Sequence, residues 1–222
     1  VVLLGLVAAM LAATTSCQSM RATTSEHRAQ PTDADDALAR LLAGNARFVS
    51  NGVHHPNQSA QRRTEISAGQ HPFAIVLSCS DSRVAPELIF DQGLGDLFVV
   101  RVAGNSVDDL VLGSIEYAAE HLHPALLIVL GHEKCGAVSA ALSGKAEPGK
   151  IPSVASPIAP VLDEARREPG DALHNAVVLN AQHVADELRH ADPVLAKQVA
   201  SGKLRIIAGV YDLNTGKVTI DR

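Results

Sequence analysis

Five consecutive residues, Cys79-Ser80-Asp81-Ser82-Arg83, bring a thiol, a carboxyl and a guanidinium into one short stretch. They follow the apolar run Phe73-Ala74-Ile75-Val76-Leu77. Side chains of an extended chain alternate between faces, so Cys79, Asp81 and Arg83 are expected together on one side at the end of a buried strand. A second apolar run, Ala125 to Leu130, ends in Gly131-His132-Glu133-Lys134-Cys135-Gly136 and adds an imidazole and a second thiol. Cys79, Asp81, His132 and Cys135 thus offer soft sulfur, imidazole nitrogen and one oxygen, a set that suits tetrahedral Zn²⁺ far better than a hard cation.

Positioning these groups is the work of the remaining chain. At 222 residues, 46% of them apolar, one substantial core can be buried. The net charge of -5 and aromatic content of 3% leave no basic face interleaved with stacking rings, so no nucleic-acid partner is expected. Two of the three cysteines lie in the donor motifs, which excludes a disulfide framework.

Taken in order, residues 35–50 have helical spacing of Leu38, Leu41, Leu42 and Phe48 with acids in the first turn, and predict an amphipathic helix that covers either this core or a partner's. Residues 53–70 read as irregular or partly helical, with His54 and His55 in a solvated loop. Pro86 opens a short helix. Residues 97–103 predict a strand, 108–121 a helix and 125–130 a strand, followed by a helix opening near Cys135. A Pro-, Gly- and Ser-rich loop covers 144–157. Helices are expected over 158–167, 171–190 and 193–201, then a strand over 204–211 that turns at Asn214-Thr215-Gly216 into an edge hairpin. The predicted class is α/β, with a mostly parallel central sheet of about four strands plus the hairpin, flanked by helices. Both donor motifs then fall at carboxyl ends of strands, where open parallel sheets bind ligands.

The segments CSDSRVAPELIFDQGLGDLFVVRVAGN, GSIEYAAEHL and GHEKCGAV, in that order, resemble the β-class carbonic anhydrases, and the similarity runs from about Leu41 to the YDLNTGKV hairpin. The resemblance implies a zinc enzyme that hydrates carbon dioxide to bicarbonate through zinc-bound hydroxide, with one Zn²⁺ per subunit on Cys79, His132 and Cys135. Asp81 then has two possible positions. As a fourth ligand it closes the site; held by Arg83 it leaves the metal open, and the Asp81-Arg83 dyad orients the hydroxide. Gln70, nine positions before Cys79, matches a glutamine that donates to substrate oxygen in plant-type members, and Phe98 and Tyr117 match their apolar pocket wall, although core packing would equally explain both. Another branch has a tryptophan where Val76 stands and an arginine matching Arg101. With no Trp in the chain, the open-site branch is the better match, and Arg101 is better explained as an ordinary interface or salt-bridge residue. Family members are dimers or multiples of dimers with the pocket at the subunit boundary, so a homodimer is expected.

The N-terminus tells a separate story. Val1 to Ala13 is apolar but shorter than the roughly 18 residues of a membrane-spanning helix, which fits the core of an export signal; the alternative is a buried N-terminal helix. Small residues precede Cys17 as at a lipoprotein cleavage site, although Thr14 stands where a Leu-like residue is usual. The expected organisation is an export or lipoprotein signal over 1–17 with possible lipidation of Cys17, a flexible tether over 18–33 and the catalytic domain over 34–222. Location in the periplasm or cell envelope follows, with a possible lipid anchor. Two other functions remain open from the sequence: a non-catalytic, zinc-stabilised envelope protein that binds a partner, and a carbon disulfide or carbonyl sulfide hydrolase on the same fold.

Overall fold

The computed structural model describes residues 30–191 and 193–221. The expected export signal, Cys17 and most of the tether lie outside these residues. Helix α1 spans Ala34–Val49; its cap is Asp33, whose carboxylate accepts from the N–H groups of Asp35 and Asp36, and Asp35 and Asp36 put negative charge at the positive end of the helix dipole. Further on come α2 (Ala60–Glu65), strand β1 (Ala74–Ser78), α3 (Pro86–Ile89), β2 (Leu97–Arg101), α4 (Asp109–His121) and β3 (Leu126–His132). The chain then runs through α5 (Gly136–Ser143), α6 (Pro152–Ala155), α7 (Ala159–Arg167), α8 (Ala172–Arg189), α9 (Leu195–Ala200), β4 (Arg205–Tyr211) and β5 (Val218–Asp221).

The five strands form one sheet in the order β2-β1-β3-β4-β5, parallel throughout except for the antiparallel β5. Every residue of β1 and β3 is buried, because helices cover both faces of these central strands, and this is why their sequences read as unbroken apolar runs. The two faces separate by alternate residues. Ile75, Leu77, Leu127 and Val129 pack with Ile115 of α4 and Val184 and Leu188 of α8. Ala74, Val76, Leu126 and Ile128 pack with Ala37 and Leu41 of α1 and Ile89 of α3. The amphipathic face of α1 therefore covers this chain's own core. A third cluster, at the carboxyl ends of the strands, holds Cys79 and Cys135 with Val138, Ile158, Leu162 and Val177.

Strand order carries a functional consequence. The connection from β1 leads to β2 on one side, and the chain then crosses to β3 on the other, so the gap beyond β1 and β3 is a topological switch point. Two expectations need correction. The loop expected over 144–157 contains α6, which Pro152 opens with its preset φ and lack of an N–H. His132 is the last residue of β3, paired with Tyr211 of β4, and does not lie beyond the strand.

Candidate metal centre

Cys79 leaves the end of β1, His132 ends β3 and Cys135 caps α5 one turn later. All three are buried, and their donor atoms lie within 4.8 Å of one another. Between His132 and Cys135 the chain reverses through Lys134, whose φ of 53° lies in the left-handed region. The extended-chain argument for Cys79, Asp81 and Arg83 fails here. The Arg83 N–H donates to Asp81 Oδ1 and the Val84 N–H to the Asp81 carbonyl, so residues 81–84 form a tight turn that competes with strand geometry. The turn nonetheless delivers Asp81 to the same place, with Oδ2 3.9 Å from His132 Nε2. Arg83 grips this carboxylate in a fork, Nε to Oδ1 at 2.9 Å and Nη2 to Oδ2 at 2.7 Å.

The donor set fits zinc on three counts. The two sulfurs are 4.0 Å apart, close to the about 3.8 Å separating two thiolates that share a tetrahedral zinc with bonds of about 2.3 Å. His132 Nδ1 faces the Glu133 carbonyl at 2.9 Å, and the buried Nε2 has no hydrogen-bond partner, an orphan that a metal would satisfy. One of the two sulfurs is also poised to give up its proton. The Cys79–Cys135 contact, helped by His132 and the Gly104 N–H, lowers the Cys79 thiol to about 4 against the opposing effect of burial, whereas the same contact and burial push Cys135 up. Burial pushes His132 down, but the neighbouring Cys79 thiolate outweighs it and the net shift is upward. The Arg83 fork holds Asp81 well below the usual carboxylate range.

Two residues support the group through the backbone. Arg101, expected as an interface or salt-bridge residue, instead donates to the carbonyls of Cys79 (3.0 Å) and Asp81 (2.6 Å), clamping the loop from β2, and makes no salt bridge among the described residues. Gly104, at φ 73°, brings its N–H to Cys79 Sγ at 3.3 Å; an added Cβ would meet Ala137 at 3.0 Å and Ile158 at 3.1 Å.

The residues expected to contact substrate are spread differently. Phe98 is half-buried and packs with the core cluster of Ile75 and Leu77, a different cluster from that of Cys79 and Cys135. Tyr117 is 51% exposed, its ring 4.9 Å from that of His121, and Gln70 is exposed ahead of β1. His54 and His55 are exposed, and their N–H groups serve only to hold Asp91. A cleft of about 530 Å³ between α1, α3 and the β4-β5 hairpin is lined by residues such as Phe48, Leu88 and Tyr211 but by none of the three donors. Chemistry, not volume, marks the site.

Comparison with known proteins agrees with this geometry. The family model for carbonic anhydrase matches residues 74–218. Carbonic anhydrase 2 of Mycobacterium tuberculosis (strain CDC 1551 / Oshkosh) is 42% identical over 191 residues, 83% of this chain and 91% of that protein. Among solved structures, the β-carbonic anhydrase CcaA superposes with a TM-score of 0.66 at 27% identity, over 82% of this chain and 94% of its own. The fold is shared as well with two tetrameric β-carbonic anhydrases of Sordaria macrospora, at a TM-score of 0.68 and 23% identity over 83% of this chain and 96% of theirs. With its parallel sheet, its buried Cys-His-Cys group at the switch point and these relatives, the chain belongs to the carbonic anhydrase family, in its β class.

Proposed function

We propose that the chain catalyses the reversible hydration of carbon dioxide to bicarbonate and a proton, with one Zn²⁺ held by Cys79, His132 and Cys135. The observation that carries this reading is the unpartnered His132 Nε2, buried against two sulfurs 4.0 Å apart. Zinc, when bound, makes a hydroxide nucleophile available near neutral pH. Two thiolates cancel the dication's charge, so they leave water less acidic than an all-histidine set would, and activity is expected to rise toward mildly alkaline pH.

Asp81 has the positioning role in this proposal. Arg83 keeps its carboxylate ionised and holds both of its oxygens, so that Asp81 would be placed to accept a hydrogen bond from the nucleophile that a bound zinc would supply. The same fork supports an open resting state, as does Val76 in place of a tryptophan. In the proposal Gln70 donates to a substrate oxygen, and Phe98 and Tyr117 line the apolar wall. Since Phe98 packs away from the metal cluster and Tyr117 is exposed, these roles belong to a pocket completed by a second copy. Support for a homodimer, or a multiple of dimers, comes from the half-buried edge strand β2 and from Leu110 and Tyr117, both exposed and two turns apart on α4.

The reading extends to location. Export to the periplasm or cell envelope, with residues 1–17 as signal, Cys17 as a lipidation site, 18–33 as tether and 34–222 as the catalytic domain, is supported by the short apolar run and the polar tract behind it. Among the described residues no helix is long and apolar enough to cross a membrane.

Stopped-flow measurement of carbon dioxide hydration tests the proposal. Zinc-loaded protein is expected to accelerate the reaction, with a rate that climbs toward alkaline pH and is lost on chelation. A fully metallated sample that leaves carbon dioxide at its spontaneous rate contradicts it, and release of sulfide from carbonyl sulfide by such a sample would move the substrate to the sulfur analogues.

A further inference from the structure

One helix outside the ligand motifs reaches two of the three donors. His174, Val177 and Ala181 lie at i, i+3 and i+7 on α8, a spacing that puts them on one face, and Asn180, three residues after Val177, borders it. Val177 and Ala181 sit against the end of β3, each 3.4 Å from where a Cβ on Gly131 would stand. Asn180 is 1% exposed, and its Nδ2 donates to the Gly104 carbonyl at 3.0 Å. Gly104 in turn gives its N–H to Cys79 Sγ. One and a half turns earlier, His174 Nδ1 bonds Glu133 Oε1 at 2.6 Å. Glu133 is also tied through its N–H to the Tyr211 carbonyl at 2.9 Å, and its own carbonyl faces His132 Nδ1.

Core packing alone does not account for either residue. A buried amide costs free energy that an alanine or leucine on the same face would avoid, unless its hydrogen bond is worth keeping. His174 is half-exposed, so burial does not drive its contact with Glu133.

We infer that α8 sets the positions of the metal donors, with Asn180 and His174 as positioning residues for Cys79 and His132. Asn180 fixes Gly104 so that its N–H stays on the Cys79 sulfur. His174 pins Glu133, whose carbonyl accepts from Nδ1–H of His132 and so leaves Nε2 as the nitrogen free to bind metal. Neither role requires His174 to change charge, since Nδ1–H donates from the neutral and the cationic ring alike. The inference rests on the reading that Cys79, His132 and Cys135 hold zinc.

The test uses the full chain with Zn²⁺ and Co²⁺ as probes. Zinc affinity is measured by competition with a chromogenic chelator, and the thiolate-to-cobalt charge-transfer band reports how the sulfurs are held. His174→Leu and Asn180→Ala are each expected to weaken zinc binding about tenfold or more, the effect of losing an outer hydrogen-bond partner, and to shift the cobalt band. His174→Asn, whose amide nitrogen replaces Nδ1, is expected to restore both to near wild type. Unchanged affinity and spectrum in His174→Leu overturn the inference, as does an equal loss in the Leu and Asn variants. A wild-type protein with no thiolate-cobalt band overturns the zinc reading itself and this inference with it. If Asn180→Ala does not fold, the His174 pair still decides, because that side chain lies at the surface.

Discussion

Arg83 holds the Asp81 carboxylate through two hydrogen bonds of 2.9 and 2.7 Å while Oδ2 stays 3.9 Å from His132 Nε2. In the proposed mechanism the guanidinium and a bound zinc would compete for this one carboxylate, and that balance would decide whether water or Asp81 takes the remaining metal position. Arg83→Ala removes one competitor and is expected to close the site, lowering hydration turnover by about 10²-fold with zinc retained. Asp81→Ala is expected to lose a similar factor for a different reason, since nothing then orients the nucleophile. Metal analysis alongside stopped-flow rates separates the two variants from simple loss of zinc; wild-type turnover in either would contradict the proposed role of the dyad.

Arg101 spans the carbonyls of Cys79 and Asp81 and ties β2 to the loop that carries both. Arg101→Ala leaves these two acceptors without their donor, with an expected loss of about 2 kcal/mol in urea unfolding. Arg101→Lys is expected to recover less than half of the deficit, because a single ammonium cannot reproduce the planar fork.

Acid stability follows from Asp91, 3% exposed between Arg47 and the 54–55 loop. Burial alone pushes its carboxyl up, but the N–H of His54, the Arg47 guanidinium and the N–H of His55 outweigh it and hold it below its ordinary value of 3.8. A carboxyl lowered in the folded state stabilises the fold fully above that ordinary value and loses its contribution as pH falls through the lower folded value. Asp91→Asn is thus expected to be less stable than wild type by about 2 kcal/mol near neutral pH, with the gap narrowing below pH 3.8. Urea unfolding across a pH series checks both the size and the sign.

Gly44 is where α1 meets α3. A Cβ there would stand 1.7 Å from the Phe90 carbonyl oxygen, a backbone atom that cannot move aside alone. Gly44→Ala is expected to shift the helix and cost about 3 kcal/mol or more, read as a fall in the urea midpoint. An unchanged midpoint would contradict the packing of α1 on its own chain.

The sequence made the fold legible where burial was complete. β1 and β3 read as continuous apolar runs because both faces are covered, and α1 announced itself through acids in its first turn and a helical apolar period. The grouping of Cys79, His132 and Cys135 was legible because Cys, His and Cys at strand ends have few other uses. What the sequence hid was support through the backbone. Arg101 was singled out but for another role, and Gly104 and Asn180 not at all, because all three act on or through carbonyl and amide groups, which carry no residue signature; Asn180 also lies 101 residues from Cys79 in sequence. His174 acts on Glu133 across 41 residues, a separation no local pattern can bridge. The turn at Asp81 was concealed differently: alternation in an extended strand and an Asp-led turn both bring the side chain to the strand end, and only the hydrogen bonds from Arg83 and Val84 tell them apart.

Zinc K-edge X-ray absorption of the metallated protein tests the central claim most directly. Two sulfur scatterers at about 2.3 Å with nitrogen or oxygen scatterers at about 2.0–2.1 Å are the predicted result, and Cys79→Ser or Cys135→Ser is predicted to leave one sulfur. A zinc site with no sulfur, or one whose two sulfurs survive both substitutions, would contradict it.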